Sequence, residues 1–135
     1  MTMMVKNLKR QVLVMTEEEI DAIWQKGRIV PDYDPSKFRK DACGAWIARD
    51  KYGDADADFG WEVDHIYPQA LGGGDDDVNK RPLHCKNNRS KGDDYPSYKS
   101  AVTARGNKNV ELERILVVNK NKMELLNSKY GAPNA

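Results

Sequence analysis

The stretch WEVDHIYPQALGGGDDDVNKRPLHCKNNRSKGDD, residues 61–94, determines the fold and function that the sequence predicts. It contains both histidines of the chain, three consecutive glycines, three consecutive aspartates and a basic end. The alternation of apolar and polar residues over 61–66 predicts a β-strand, and the glycines predict a long loop behind it. Pro82 suits the first position of a helix, where its missing N–H would be unpaired in any case. We therefore predict a helix from Pro82 to about Lys91.

Asp64 and His65 are adjacent at the end of the predicted strand. Neighbouring side chains on a regular strand point to opposite faces, so they converge on one site only where the strand ends or bends. Pro68 and the glycine loop supply such an end. An aspartate can bind a divalent cation, and an imidazole can accept a proton near neutral pH.

The predicted helix carries a second group of polar side chains. His84, Asn88 and Lys91 are spaced i, i+4 and i+7 and would lie along one helix face. A cation held by oxygen ligands, beside a base and basic residues, is suited to phosphoryl chemistry, in which the metal stabilises charge on phosphate and the base activates water.

Each of these features also has an ordinary structural explanation. An Asp-His pair is commonly a polar pair at the end of a strand, and an Asn-Asn pair in a helix is commonly a cap or exposed surface. A calcium loop starting at Asp54 is a further alternative, because carboxylates recur there at alternate positions. Its twelve-residue pattern fails at Phe59 and His65, which stand where glycine and glutamate are required.

The rest of the chain predicts one domain of ordinary composition spanning residues 1–135. Residues 50–78 are strongly acidic and residues 79–135 strongly basic, a distribution that fits a cation site beside a phosphate-binding face, although a solvated surface of mixed charge explains it equally. The two cysteines stand outside any Cys-x-x-Cys pair, which favours reduced, partly buried thiols in a cytoplasmic protein. No signal peptide or membrane span is predicted, so we expect no membrane partner.

Local patterns predict the flanking elements. Thr16 and Glu19 form a capping box before a helix whose core face carries Ile20, Ile23 and Trp24. Residues 38–54 predict a short compact element with bends at glycines. The segment 110–118 fits either a strand or a helix, and a closing helix follows it.

The polar residues of the quoted stretch 61–94 resemble the pattern of the HNH endonuclease family. The resemblance is specific over about residues 60–93, and extends less specifically to the lead-in of small stand-alone bacterial and phage members. The spacings, 14 residues from His65 to Asn79 and 9 from Asn79 to Asn88, are similar to those in the HNH domain of the RNA-guided CRISPR nucleases. The matching residues are Asp64, His65, Ile66, Pro68, Gly72, Gly73, Asn79, Leu83, Asn88 and Lys91.

The resemblance implies an α+β fold built on the ββα-metal motif, with a helical lead-in and a C-terminal closing segment. By the same resemblance His65 would be the general base, and Asp64 and Asn88 would be the metal ligands. Asn79 would hold the loop and orient His65 through hydrogen bonds.

The basic and remaining polar residues of the stretch have less specific roles. Because they flank the predicted ligand helix, Arg81, Arg89 and Lys91 are expected to contact phosphate, although Arg89 could belong to a solvated helix face. His84 could bind metal or phosphate, or could cap polar surface.

Two departures from the family pattern affect the expected metals. Many relatives carry two Cys-x-x-Cys pairs for a structural zinc, whereas this chain has His84 and Asn87 where the second pair would stand. We therefore expect no structural zinc and predict that apolar residues hold the hairpin instead. Asn88 in the last motif position implies an oxygen-rich site for one Mg²⁺ or Mn²⁺ ion, with Ni²⁺ or Zn²⁺ as alternatives.

The sequence thus predicts a metal-dependent endonuclease acting on DNA, with a homodimer as a possible assembly. The rival hypothesis is a nucleic-acid-binding module that keeps the hairpin without catalysis. The adjacent Asp64 and His65, combined with Asn88, favour the enzyme, because a protein that only binds DNA has no need of a base beside a metal ligand.

Overall fold

The computed structural model describes residues 15–133, which form short helices and small antiparallel sheets. The predicted α+β class is confirmed at this level. The residues before Met15, on which the prediction of no signal peptide rested, lie outside the described part. The helices and strands, in chain order, are α1 (Glu17–Trp24), β1 (Phe38–Lys40), β2 (Trp46–Ala48), β3 (Trp61–His65), β4 (Lys80–His84), α2 (Cys85–Lys91), β5 (Ser97–Arg105), β6 (Lys108–Val117) and α3 (Lys120–Tyr130).

Helix α1 has the predicted start. The Thr16 hydroxyl accepts a hydrogen bond from the Glu19 N–H, and the Glu19 carboxylate accepts one from the Thr16 N–H, so the capping box is complete. Ile20, Ile23 and Trp24 are buried, as predicted. They form an apolar cluster with Ile47 of β2 and Trp61 of β3, which ties the lead-in to the central hairpin.

Strands β3 and β4 form an antiparallel hairpin, and α2 follows β4 without a loop. The pairing runs from Trp61 opposite His84 to His65 opposite Lys80. The predicted helix start at Pro82 is therefore wrong, because Pro82 lies in β4 opposite Val63. In a two-stranded sheet each strand has a free edge, where a residue without an N–H is tolerated. The helix begins only at Cys85.

The C-terminal part consists of the long β5–β6 ribbon and α3. The predicted closing helix is confirmed, and most of the ambiguous segment 110–118 lies in strand β6. Leu126 of α3 is buried in a second apolar cluster, which also contains Leu83 of β4 and the rings of Tyr67, Tyr95 and Tyr98. The β3–β4 hairpin thus contributes residues to both clusters.

A buried polar network joins the hairpin and α2 to the neighbouring sheets. The Asp41 carboxylate accepts hydrogen bonds from the His84 N–H and from the Asn87 amide, at 2.9 and 3.1 Å. The Asn87 amide oxygen in turn accepts from the N–H groups of Ala101 and Val102 in β5. The prediction that apolar residues hold the hairpin is therefore incomplete, because Asp41 and Asn87 link three elements through hydrogen bonds.

Both cysteines are free and buried. Burial, together with neighbouring carboxylates, raises the pKa of the Cys43 thiol to about 12 and that of the Cys85 thiol to about 11. Both thiols are thus protonated at neutral pH and belong to the core. Within residues 15–133 the longest helix, α3, has 11 residues, and none is long and apolar enough to cross a bilayer.

Candidate active site

Asp64, His65 and Asn88 line one cleft of about 250 Å³ at the end of the hairpin. Asp64 and His65 are the last two residues of β3, and Asn88 comes from α2. The other lining residues are Val63, Pro68, Gln69, Gly92 and Asp93. Both neighbours line the cleft at the point where β3 ends.

The Asp64 carboxylate is buried and paired with two cations. Its Oδ2 atom lies 2.8 Å from Arg81 Nε, and its Oδ1 atom lies 3.2 Å from Lys91 Nζ. Only 3% of the Asp64 side chain is exposed. A carboxylate is rarely so buried without counter-charges, which Arg81 from β4 and Lys91 from α2 supply here.

The prediction that Arg81 and Lys91 contact phosphate does not agree with this geometry. The Lys91 side chain has no exposed surface, and its ammonium also donates to the His65 carbonyl at 3.2 Å. Burial lowers the pKa of Lys91, and Asp64 opposes that shift. The Arg81 guanidinium lies 5.3 Å from the Tyr98 ring centroid. Both cations act inside the protein as counter-ions of Asp64.

His65 is partly exposed, and its imidazole contacts the acidic part of the loop. Its Nε2 atom lies 2.9 Å from Asp75 Oδ1. The hydrogen bond with His65 lowers the pKa of the Asp75 carboxyl. An ionised carboxylate can only accept, so Nε2 donates to Asp75, and among residues 15–133 no group donates a hydrogen bond to Nδ1.

Asn79 holds the loop, as predicted, by linking it to the backbone that follows β3. Its amide oxygen accepts from the Tyr67 N–H at 2.7 Å, and its amide nitrogen donates to the carbonyls of Tyr67 and Gly74 at 3.0 and 2.8 Å. Within the described residues the Asn79 side chain makes no hydrogen bond to the His65 ring. Asn79 instead fixes the backbone beside Asp75, and Asp75 contacts the imidazole.

Asn88 and Arg89 both contact Glu62 of β3. The Asn88 amide nitrogen lies 3.2 Å from Glu62 Oε1, and Arg89 Nη2 lies 3.3 Å from Glu62 Oε2. Among residues 15–133, nothing donates a hydrogen bond to the Asn88 amide oxygen. The Arg89 side chain is 62% exposed, so of the three predicted phosphate contacts it is the one at the surface.

His84 lies away from the cleft and is not part of the helix face predicted for it. It is 2% exposed and is the N-cap of α2, with Nδ1 accepting from the Lys86 N–H at 3.0 Å. Its Nε2 donates to the Asp58 carbonyl at 2.8 Å. Since both ring nitrogens are used, His84 has no lone pair for a metal, and its cap is buried rather than on polar surface.

The cleft is lined by Asp64, Asn88 and Asp93, whose side chains carry oxygen atoms, the donor type that Mg²⁺ and Mn²⁺ prefer. A carboxylate has about four acceptor positions, and Arg81 and Lys91 use two of those of Asp64. The Asn88 amide oxygen and the nearby Asp93 add further oxygen atoms. Mg²⁺ keeps several waters and takes few protein ligands. Among the described residues, no group of three His, Cys, Asp or Glu side chains is gathered as a tight transition-metal site requires.

Three residues of the site have signals too weak to single out from the sequence. Asp75 is one of three identical neighbours, and Asp93 one of two. Glu62 could be identified only through its place on β3, two residues before Asp64 and therefore on the same strand face.

Comparisons with models of known protein families, with curated proteins and with solved structures gave no match for this chain.

Proposed function

We propose that this protein is a metal-dependent HNH endonuclease that hydrolyses phosphodiester bonds of DNA. The observation that supports it best is the convergence of Asp64, His65 and Asn88 on one cleft, from a β-hairpin and the helix that follows it. In this proposal β3, β4 and α2 form the ββα-metal motif. The protein acts in the cytoplasm, where a DNA substrate is present.

The residues of the cleft have complementary tasks in this reaction. Asp64 and Asn88 would hold one divalent cation, which stabilises negative charge developing on the scissile phosphate. His65 takes a proton from the attacking water through Nδ1, because Nε2 is bonded to Asp75. Arg89, exposed beside the cleft, is a candidate contact for the DNA backbone.

One observation supports the second candidate, a DNA-binding module without catalysis. Both oxygens of Asp64 are engaged by internal cations, as expected of a carboxylate with a purely structural role. The partly exposed base in the same cleft favours the enzyme, because a structural ion pair does not require His65 beside it.

The test is incubation of purified protein with supercoiled plasmid in Mg²⁺, Mn²⁺, Ni²⁺, Zn²⁺ or EDTA. We expect cleavage with Mg²⁺ or Mn²⁺ and none in EDTA. His65→Ala should lower the rate by about 10²- to 10⁴-fold while DNA binding, followed by fluorescence anisotropy, stays unchanged. DNA binding by wild-type protein without cleavage in any metal would favour the binding module.

A further inference from the structure

The backbone of the loop between β3 and β4 is fixed at several points just before Asp75. Gly72 has φ 104°, a conformation that residues with a side chain rarely adopt. A Cβ atom on Gly73 would lie 1.8 Å from the Tyr67 carbonyl oxygen, so only glycine fits there. The Asn79 amide holds the Gly74 carbonyl at 2.8 Å. The residue immediately after these anchors is Asp75.

The three consecutive aspartates of this loop contact different parts of the protein. Asp75 contacts His65. Asp76 accepts a hydrogen bond from the Tyr130 hydroxyl of α3. Asp77 forms a salt bridge of 3.0 Å with Lys26, which follows α1 in the chain. Of the three, Asp75 is therefore the one that reaches the candidate base.

The contact of Asp75 with the imidazole is shorter than its contact with the nearest ammonium. Asp75 Oδ1 lies 2.9 Å from His65 Nε2 and 3.7 Å from Lys80 Nζ. The His65 bond therefore has true hydrogen-bond length, whereas Lys80 adds a longer electrostatic contact. A carboxylate bonded to one ring nitrogen fixes the tautomer and the ring orientation, and makes the other nitrogen the proton acceptor.

We propose that Asp75 is a positioning residue for His65: its carboxylate holds the proton on Nε2 and presents Nδ1 to the attacking water. This inference rests on the proposed nuclease function and adds a residue to it. Asp75 itself touches neither water nor phosphate in the proposed reaction, and its effect is transmitted through the imidazole.

The tautomer can be measured without any catalytic assay. With the ring neutral, long-range ¹H–¹⁵N NMR spectra distinguish a protonated from an unprotonated ring nitrogen. The chain has only two histidines, so His65→Ala assigns the signals. We expect wild-type His65 to show protonated Nε2 and unprotonated Nδ1. In Asp75→Asn the side-chain amide can donate as well as accept, so both tautomers should be populated.

Cleavage kinetics provide the second measurement. Asp75→Asn should lower kcat by about 10- to 100-fold and leave KM for DNA and the affinity for Mn²⁺ unchanged. Asp75→Glu, which keeps the carboxylate, should recover part of the loss. The matched control is Asp77→Asn, which removes a neighbouring charge without touching His65 and should keep the wild-type tautomer and kcat.

The possible outcomes separate this inference from the nuclease proposal. A wild-type tautomer together with wild-type kcat in Asp75→Asn would overturn the role of Asp75 while the nuclease proposal stands. If wild-type protein cuts no DNA, the nuclease proposal fails, and the NMR spectra of Asp75→Asn and Asp77→Asn still decide whether Asp75 orients the ring. Loss of kcat with an unchanged tautomer would also count against positioning by Asp75.

Discussion

The Lys91 ammonium lies 3.2 Å from the carboxylate of Asp64, and both side chains are almost fully buried. A cation entering the cleft would share that carboxylate with Lys91 and with Arg81. Lys91 and Arg81 therefore compete with a bound metal ion for the Asp64 carboxylate. Metal binding should be weak until a DNA phosphate adds negative charge.

Lys91→Met should tighten Mn²⁺ binding in the absence of DNA. The change keeps much of the buried hydrocarbon chain and removes a positive charge, while Arg81 still compensates Asp64. We expect about a tenfold gain or more, because a unit charge about 4 Å from a divalent ion costs about 2 kcal/mol even in water. Calorimetric titration measures the affinity, and Lys86→Met, on the exposed face of the same helix, is the control. Unchanged or weaker binding in Lys91→Met would show that Lys91 does not oppose the metal.

Asp64→Ala should destabilise the protein in addition to any loss of metal. It leaves Lys91 and Arg81 buried without their counter-ion, and breaking such a pair typically costs about 3 to 5 kcal/mol. Asp93→Ala, an exposed change at the same cleft, should cost within about 0.5 kcal/mol. Urea unfolding followed by circular dichroism compares the two variants. Equal stabilities would mean that the buried ion pairs contribute little. Asp64→Asn is the better variant for metal titration, since it keeps the shape of the side chain and an acceptor for one of the two cations.

The sequence predicted the hairpin's first strand and the convergence of Asp64 and His65, because those depend on local signals. The alternation ends at His65, whereas the place of Asn88 beside Asp64 was implied only by the family resemblance. The start of α2 was predicted wrongly because Pro82 pairs with Val63 in the hairpin, and a local helix-start signal does not reveal such a non-local pairing.

The roles of the charged residues could not be obtained from the sequence for a related reason. Lys91 and Arg89 are both basic residues of one short helix, yet the first is fully buried and the second is 62% exposed. The two residues differ because Lys91 faces the buried Asp64 carboxylate, whereas Arg89 lies at the surface. Asp75 likewise differs from Asp76 and Asp77 only in the direction that the folded loop gives its side chain.

Asn87→Ala should be far more destabilising than Asn88→Ala, although the two residues are adjacent in α2. The Asn87 amide is fully buried and bonds to Asp41, Ala101 and Val102, so its loss leaves several buried groups unpaired. We expect a cost of about 2 to 4 kcal/mol. Asn88 is half-buried and bonds to Glu62 at 3.2 Å, so its removal should cost about 1 kcal/mol or less. Thermal or urea unfolding of the two variants gives the comparison, and similar losses would contradict the role assigned to the Asn87 network.

One copy of the protein should nick one DNA strand, and a double-strand break should require two copies. The sequence contains a single Asp-His pair, and the two strands of a duplex run antiparallel on either side of a groove. A two-fold dimer would supply the second site with the symmetry of the duplex.

The β5–β6 ribbon offers one surface for such a dimer. Ile115 and Val117 are 66% and 60% exposed and lie two residues apart, on one face of β6. Ile115→Lys should lower the solution mass if this face is the dimer contact, and Ile29→Lys, an equally exposed site before β1, should not.

At low enzyme concentration, supercoiled plasmid should become nicked before it becomes linear. A protein that is monomeric by light scattering and linearises plasmid without a nicked intermediate would contradict a single site that cuts one strand at a time.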